Sequence, residues 1–595
     1  MERTSWQREL LLTFPIMHVE LSFTSHSNIH LPNVNIKPAK RFYGMHTLLP
    51  LLLTHPIMHV QDVNQSFTHL QIEASNGECS PVKSIDSSSS QETLVDVASH
   101  SFERALGDTE LSYFLPSRES GVNDMYLHLG CRAPVRLVKR ERVCVVWAIL
   151  RLRHPLLASV IKMHDYDDVR FVYMAPRTVE HALNLADLNL EYQTQTKDGE
   201  IFLSLGVHMF LMTLSNDRLS YIIVSSPSMH KSATDSVETI ENCEFLICGT
   251  HFGGDGMSLH QFANSFFGLL GSSLTMSDLT MLLSDEWRAR CAKVDDPAAA
   301  LPISLEDRLP IRDGKFRQIV GRVDFERSQE KIIGGHSFPR KSGGSRRTVV
   351  PTVSFDPDRT KKILKNCKAR GVTISSAVFA LCNIAWAKTY GQKKEMPTMM
   401  YSALNLRPFF VANKALNDSY WYLAIGYFNI VLPAFLPGSG DISAIFWHRA
   451  RSVKKQSDAA KNPMTVSRSR QMARERGARA KVWAKEDDDK AKGVWQAPPA
   501  PSTKLPERPP STALIGLSLL GNLDGMYKHS SFSDIELHTL TTGSRQRSGG
   551  MLLFGYTFVG KFWLSLGYDE NGFDTEVVDK FWHNLLNCTD EYLVN

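Results

Sequence analysis

The chain reads as an α/β protein of two lobes. Three observations predict this. From Ser101 onward, stretches with helical periodicity alternate with short apolar strand candidates. A polar, basic, Gly-rich stretch at 305–345 reads as a crossover between an earlier and a later set of such elements. The glycine-flanked segment HFGGDG, residues 251–256, lies where a strand candidate hands over to an amphipathic helix. With 43% hydrophobic and 22% charged residues, the chain can bury a large core without disulfides or metals. The formal charge of +5 on 595 residues is too small to suggest a nucleic-acid binder. Nine scattered cysteines, an odd number, point to a reducing compartment, and so to a cytoplasmic protein.

Residues 1–95 read as a poorly ordered N-terminal appendage. They hold two near-copies of one octapeptide, LTFPIMHV at Leu12 and LTHPIMHV at Leu53, without periodic structure between them. The apolar run LLPLLLT at Leu48 is too short to span a bilayer and is broken by Pro50. Two lobes then follow, over 96–335 and 336–595.

In the first lobe, Leu137 to His154 is predicted helical and is ended by Pro155. Strands are predicted at Phe171, over Ile201–Leu214, in RLSYIIVSSP after Asn216-Asp217, and over Glu244–Thr250. The helix after HFGGDG places Leu259, Phe262, Ala263, Phe266, Phe267 and Leu270 on one face. In the second lobe, TVVPTVSF is a strand, and two helices follow, one ending near Gly371 and one starting near Thr373. A hairpin turns at Val559-Gly560, and a helix over Thr575–Leu586 closes the chain. Residues 452–510 break the order. Arg449 to Lys481 holds eleven Lys or Arg against Asp458 and Glu475, and KEDDDK and a Pro-rich run follow. With no regular core face, this block reads as a dispensable, disordered insertion rather than a basic arm for nucleic acid.

The chemistry centres on His251 and Asp255, with glycines at 253, 254 and 256. Glycines at a strand–helix junction let the loop turn closely and leave room for a substrate beside the imidazole. A histidine near neutral pKa can take a proton from a hydroxyl as that oxygen attacks a carbonyl. Asp255 can either fix the imidazole tautomer or brace the loop through an arginine. No G-x-S-x-G, H-E-x-x-H, C-x-x-C, G-x-G-x-x-G or P-loop pattern is present. Cys243 and Cys248 read as core residues on alternate faces of a strand. Histidine base catalysis without a metal or a protein nucleophile fits direct transfer between a bound thioester and a bound alcohol.

HFGGDG resembles the H-x-x-x-D-G motif of the chloramphenicol acetyltransferase-like acyltransferase superfamily, which includes alcohol acyltransferases and peptide-synthetase condensation domains. Further stretches resemble the fungal trichothecene 15-O-acetyltransferases: ELSYFLPSRESGVNDMYLHLG at Glu110, AILRLRHPLLAS at Ala148, SALNLRPFF at Ser402, LSLLGNLDGMY at Leu517 and GGMLLFGYTFVGKFWLSLGYDE at Gly549. The resemblance implies two lobes, each a mixed sheet with flanking helices, and an active-site tunnel between them. It implies His251 as general base, Asp255 as the residue that shapes the loop, Arg407 as its partner from the second lobe, and Gly256 as the residue permitting the turn into the helix. It implies acetyl-CoA as co-substrate with no bound cofactor or metal. The acceptor would be a small hydrophobic alcohol, a trichothecene-type sesquiterpenoid with its 15-hydroxyl free. The partners are thus an acyl-CoA and an alcohol, with no nucleic acid and no membrane span, and the protein is a monomer. The alternatives are an acyltransferase for another fungal secondary-metabolite alcohol, or an inactive binding relative.

Overall fold

A computed structural model describes residues 101–194, 214–226, 239–291, 300–310, 314–341, 344–391, 394–411, 419–496 and 510–595. The expected appendage at 1–95 and most of the strand expected over Ile201–Leu214 lie outside these residues.

The described residues form two lobes, each built on a mixed sheet with flanking helices. The first lobe's sheet takes β2 (Met125–Pro134), β5 (Leu190–Thr194), β6 (Ser220–Ser226), β7 (Ile240–Gly249) and β14 (Glu536–Ser544), in the order β14-β2-β7-β6-β5. All its pairings are antiparallel except β5 with β6. A three-stranded antiparallel sheet lies beside it, formed by β1 (Ser101–Ala105), β3 (Val160–Met163) and β4 (Val169–Met174). The second lobe has the order β10-β16-β15-β13-β11-β12. These strands are β10 (Thr352–Phe355), β11 (Thr398–Asn405), β12 (Ile425–Leu432), β13 (Ser511–Asn522), β15 (Met551–Phe558) and β16 (Lys561–Asp569). Two-residue strands β8 (Gly334–Gly335) and β9 (Thr348–Val349) pair with β13 and β16. Here β13 runs parallel to both β11 and β15.

The lobes are not the clean halves expected from a division at 335/336. Strand β14, from the C-terminal part of the chain, is the edge strand of the first sheet through its pairing with β2. The first core accordingly gathers Phe532, Ile535, Leu537 and Leu540 with residues of the N-terminal half. A hydrophobic pattern marks β14 as a strand but carries no address for its partner.

Helices α1 (Asp108–Ser117), α2 (Arg140–Arg153), α3 (Val179–Asp187), α4 (Gly256–Leu270) and α5 (Met276–Arg290) flank the first sheet. The predicted helix over 137–154 is split, since Lys139 is extended between a single turn at Val135–Val138 and α2. Helix α4 buries Leu259, Phe262, Ala263, Phe266, Phe267 and Leu270, the face its sequence pattern predicts. The stretch expected to be a Gly-rich crossover contains a 16-residue helix, α6 (Lys315–Glu330).

In the second lobe, α7 (Pro357–Ala369) and α8 (Ile374–Thr389) follow β10. Asp356 and Thr373 cap their N-termini through side-chain oxygens. Helix α8 is buried between α9 (Ile442–Ala460) and α11 (Thr575–Thr589). Among the described residues no single helix is long and apolar enough to cross a membrane. The pair α7–α8, bent by 97°, passes such a test only when taken together.

The block expected to be a disordered insertion over 452–510 is largely helical. Its first residues complete α9, and Thr465–Ala491 form α10, 27 residues long, packed on α1 and α6. Helix α10 buries Ala473, Gly477, Ala480 and Ala484, spaced four, three and four apart. A Cβ on Gly477 would lie 2.8 Å from Asp108 Oδ1 and 3.1 Å from its carbonyl oxygen, so the two helices approach closely at that residue. Residues 497–509, with the Pro-rich run, lie outside the described residues.

Candidate active site

Strand β7 carries the apolar run Phe245–Cys248 through the first core and ends at Gly249. The chain then makes a short loop over His251–Gly254, and α4 begins at Gly256. Asp255 is the N-cap of α4. Its backbone is extended, and its Oδ1 accepts from the Ser258 amide at 3.0 Å. A carboxylate at a helix N-terminus also meets the positive end of the helix dipole.

The other carboxylate oxygen is held by the second lobe. Asp255 Oδ2 accepts from Arg407 Nη1 at 3.0 Å and from the Ala424 amide at 2.8 Å. Arg407 Nη2 also donates to Ser258 Oγ at 2.8 Å and to the Tyr422 carbonyl at 3.0 Å, and its guanidinium lies over the Tyr422 ring. Burial opposes a charge on Asp255. The Arg407 guanidinium and the donated amides nevertheless hold its carboxyl below the ordinary carboxylate range. Of the two roles open to Asp255, bracing the loop is therefore the one the geometry has. Both its oxygens are engaged away from the imidazole.

The tautomer of His251 is set by a backbone group instead. Its Nδ1 lies 2.9 Å from the Gly254 carbonyl oxygen. A carbonyl only accepts, so Nδ1 carries the proton and Nε2 presents its lone pair. Burial disfavours the imidazolium and lowers the His251 pKa, against the opposing pull of Asp255 and the Gly254 carbonyl. The site therefore presents a neutral imidazole with a defined basic nitrogen.

Gly256 is an ordinary helical residue, the first of α4. A Cβ there would meet only Leu520 Cδ2, at 3.4 Å. The turn into the helix is made by the Asp255 cap, and the freedom expected of Gly256 is not used. Gly254 is the glycine whose lack of a side chain counts. A Cβ on it would sit 3.0 Å from the indole of Trp421, which is 2% exposed. The segment 419–424 thus closes over the loop. Trp421 packs on Gly254, and Ser258 Oγ donates to the Tyr422 carbonyl at 2.9 Å. Tyr420 OH donates to Ser265 Oγ at 2.9 Å.

Three further residues surround His251 and were not singled out from the sequence. The Tyr113 ring, from α1, lies 4.4 Å from the imidazole, centroid to centroid. Tyr113 and Tyr427 share a hydrogen bond between their hydroxyls. Arg476, from α10, has its guanidinium carbon 5.2 Å from the Tyr113 ring centre and 4.6 Å from that of Tyr427. Tyr113 lay within a stretch of noted resemblance, but nothing local gives it a role. Arg476 was hidden among eleven basic residues, and the only signal that could have located it is the Ala/Gly spacing around it.

Among the described residues no cluster of three His, Cys, Asp or Glu side chains is placed to hold a metal. Cys243 and Cys248 are buried core residues, and burial pushes their thiols up to about 11 and about 12. A separate polar cavity of about 210 Å³ is lined by Arg153, His154, Ser265, Glu286 and Tyr420 among others, and His251 does not line it.

No protein-family model matches the sequence, and no curated protein matches it. In fold, the chain is similar to TRI3, a trichothecene 15-O-acetyltransferase from Fusarium sporotrichioides. The TM-score is 0.63 at 13% identity, over 83% of this chain and 95% of that one. The first condensation domain of the CDA synthetase aligns at a TM-score of 0.49 and 11% identity, over 83% of this chain and 96% of that domain. At these identities the likeness is one of fold alone.

Proposed function

We propose that the protein is an acyl-CoA-dependent alcohol O-acyltransferase with His251 as its general base. The observation that carries this reading is the hydrogen bond from His251 Nδ1 to the Gly254 carbonyl, which leaves Nε2 as a basic nitrogen in a partly buried loop. In the reaction, Nε2 takes the proton of the acceptor hydroxyl as its oxygen attacks the thioester carbonyl carbon. The tetrahedral intermediate collapses with cleavage of the C–S bond. The departing thiolate takes the proton from the imidazolium, giving an ester and free coenzyme A. Asp255 and Arg407 hold the loop, and donor and acceptor reach His251 through a tunnel between the lobes. The finer reading takes acetyl-CoA as donor and the 15-hydroxyl of a trichothecene-type sesquiterpenoid as acceptor, with the enzyme a cytoplasmic monomer. It draws on the sequence stretches quoted above.

Mass spectrometry of products from a panel of trichothecene alcohols with acetyl-CoA tests both levels. An acetyl ester of the 15-hydroxyl is the expected product. Esters formed only with other alcohols or longer acyl donors would move the substrate and keep the chemistry. Absence of any ester, with all alcohols and donors, would leave a binding protein.

A further inference from the structure

His251 is not flanked by its own loop alone. The imidazole lies on Tyr113, and Arg476 lies over Tyr113 and Tyr427. The close approach at Gly477, next in sequence to Arg476, brings α10 near enough to α1 for the guanidinium to reach these rings. The two legs, 4.4 Å and 5.2 Å, keep the guanidinium carbon within about 10 Å of the imidazole centre. A guanidinium stays charged, and it stacks well on aromatic faces. We propose that Arg476 is a positioning residue for His251, clamping the Tyr113 ring against the imidazole and holding His251 in its neutral, proton-accepting form. This rests on the reading of His251 as general base and extends it to a helix outside the motif.

The remaining groups around His251 leave this role to Arg476. On its own loop, Asp255 pulls towards the imidazolium, but its charge is matched by Arg407 at 3.0 Å. From α1 comes Tyr113, whose phenol burial holds well above its ordinary value, so it is neutral. From β12 comes Tyr427, with Tyr401 of β11 packed on it and Arg547 acting on Tyr401. On α10 itself, Glu475 and Arg479 pair with each other at 3.0 Å. Burial is the larger cause that disfavours protonation of the imidazole, and the Arg476 charge adds to it in the same direction. Removing the charge raises the His251 pKa, so the base is protonated, and idle, at a higher pH than in the parent.

The test is an NMR titration of the His251 imidazole in the full chain, for the parent, R476Q and R476K. Their thermal midpoints are measured alongside. A midpoint displaced upward in R476Q, and largely returned in R476K, is expected. An R476Q midpoint equal to the parent's would overturn the proposal. Should R476Q fail to fold, Arg476→Met removes the charge and keeps an unbranched stem, and the same upward displacement is expected there; its absence counts equally against the proposal. In acetyl transfer, the acid limb of kcat/KM should move with the titration, with a loss of several-fold in acid that shrinks towards alkaline pH. The titration needs no turnover. A displaced midpoint without ester formation would therefore refute the acyltransferase reading while keeping Arg476 in place, and ester formation with an unmoved midpoint would do the reverse.

Discussion

Helix α4 anchors the loop that carries His251, α10 brings Arg476 towards it, and the two helices are buried by different means. Helix α4 fills the first core with large rings. Phe262 meets Trp147 edge-on at 5.5 Å, and Phe245 meets Phe266 and Phe267 at 5.8 Å and 5.3 Å. Helix α10 carries a polar sequence, nearly half of it charged, and packs through Ala473, Gly477, Ala480 and Ala484. The first is held by the amount of apolar surface it removes from water. The second is held by how closely two backbones can approach, and by ion pairs at its margins such as Arg468 with Asp324 and Arg118 with Asp488. The difference teaches that one site can depend on a rigid aromatic wall on one side and a steric fit of small residues on the other. The two should fail under opposite kinds of substitution.

The largest effect is expected at the loop that α4 anchors. His251→Ala should lower turnover by about 10² to 10⁴, the usual worth of a positioned proton acceptor, with the thermal midpoint unchanged. Steady-state assays on the folded variant check this, and near-parental kcat would remove His251 from the mechanism. Next comes the aromatic wall itself. Phe266→Ala should lower unfolding stability by about 3–5 kcal/mol, because the cavity it leaves is walled by other rings. Denaturant unfolding measures this, and a loss under about 1 kcal/mol would mean the wall collapses to fill the space.

The bridge between the lobes should follow. Asp255 is 1% exposed and Arg407 21%, so Asp255→Asn or Arg407→Gln alone should cost about 3 kcal/mol by leaving a buried partner unmatched. A double-mutant cycle should then show the pair coupled in both stability and kcat. Additive single effects would mean that the Ala424 amide and Ser258 hold Asp255 without Arg407. Smallest is the change on α10. Gly477→Leu should cost about 1–3 kcal/mol by overpacking against Asp108, and it should also slow turnover by displacing Arg476. The same added bulk on an exposed face of α10 should do neither. Equal tolerance at both places would mean that α10 does not dock as described.

The two helices also differ in how far they could be read beforehand. The α4 face was visible because large apolar residues recur with the helical period, and the capping carboxylate lies directly before them. The α10 face was not, because alanine and glycine score weakly as core residues and the arginines around them dominate the composition. A spacing of four, three and four among small residues was the available sign, and it was outweighed by charge. The crossover was misjudged for the same reason. Helix α6 turns only Gly321 and Phe325 inward, too few to mark a buried face in a basic sequence.

By itself the sequence determined the α/β class and the strand–loop–helix unit around His251, and its resemblance to the H-x-x-x-D-G acyltransferases implied the arginine that meets Asp255. Each of these is written in residues close together in the chain or in a motif with a recognisable likeness. Only the tertiary structure decided that the Gly254 carbonyl, not Asp255, fixes the imidazole tautomer. It alone decided that Gly254, and not Gly256, is the glycine the loop requires, that β14 joins the first sheet, and that Arg476 stands beside the base. The first is a contact within the loop, three residues along the chain; the other three share a physical reason. Each depends on which surfaces meet across the fold: an indole on a loop, a strand on a distant edge, a helix of small residues on α1. Hydrophobic pattern and charge report whether a segment can be buried, and they do not report against what.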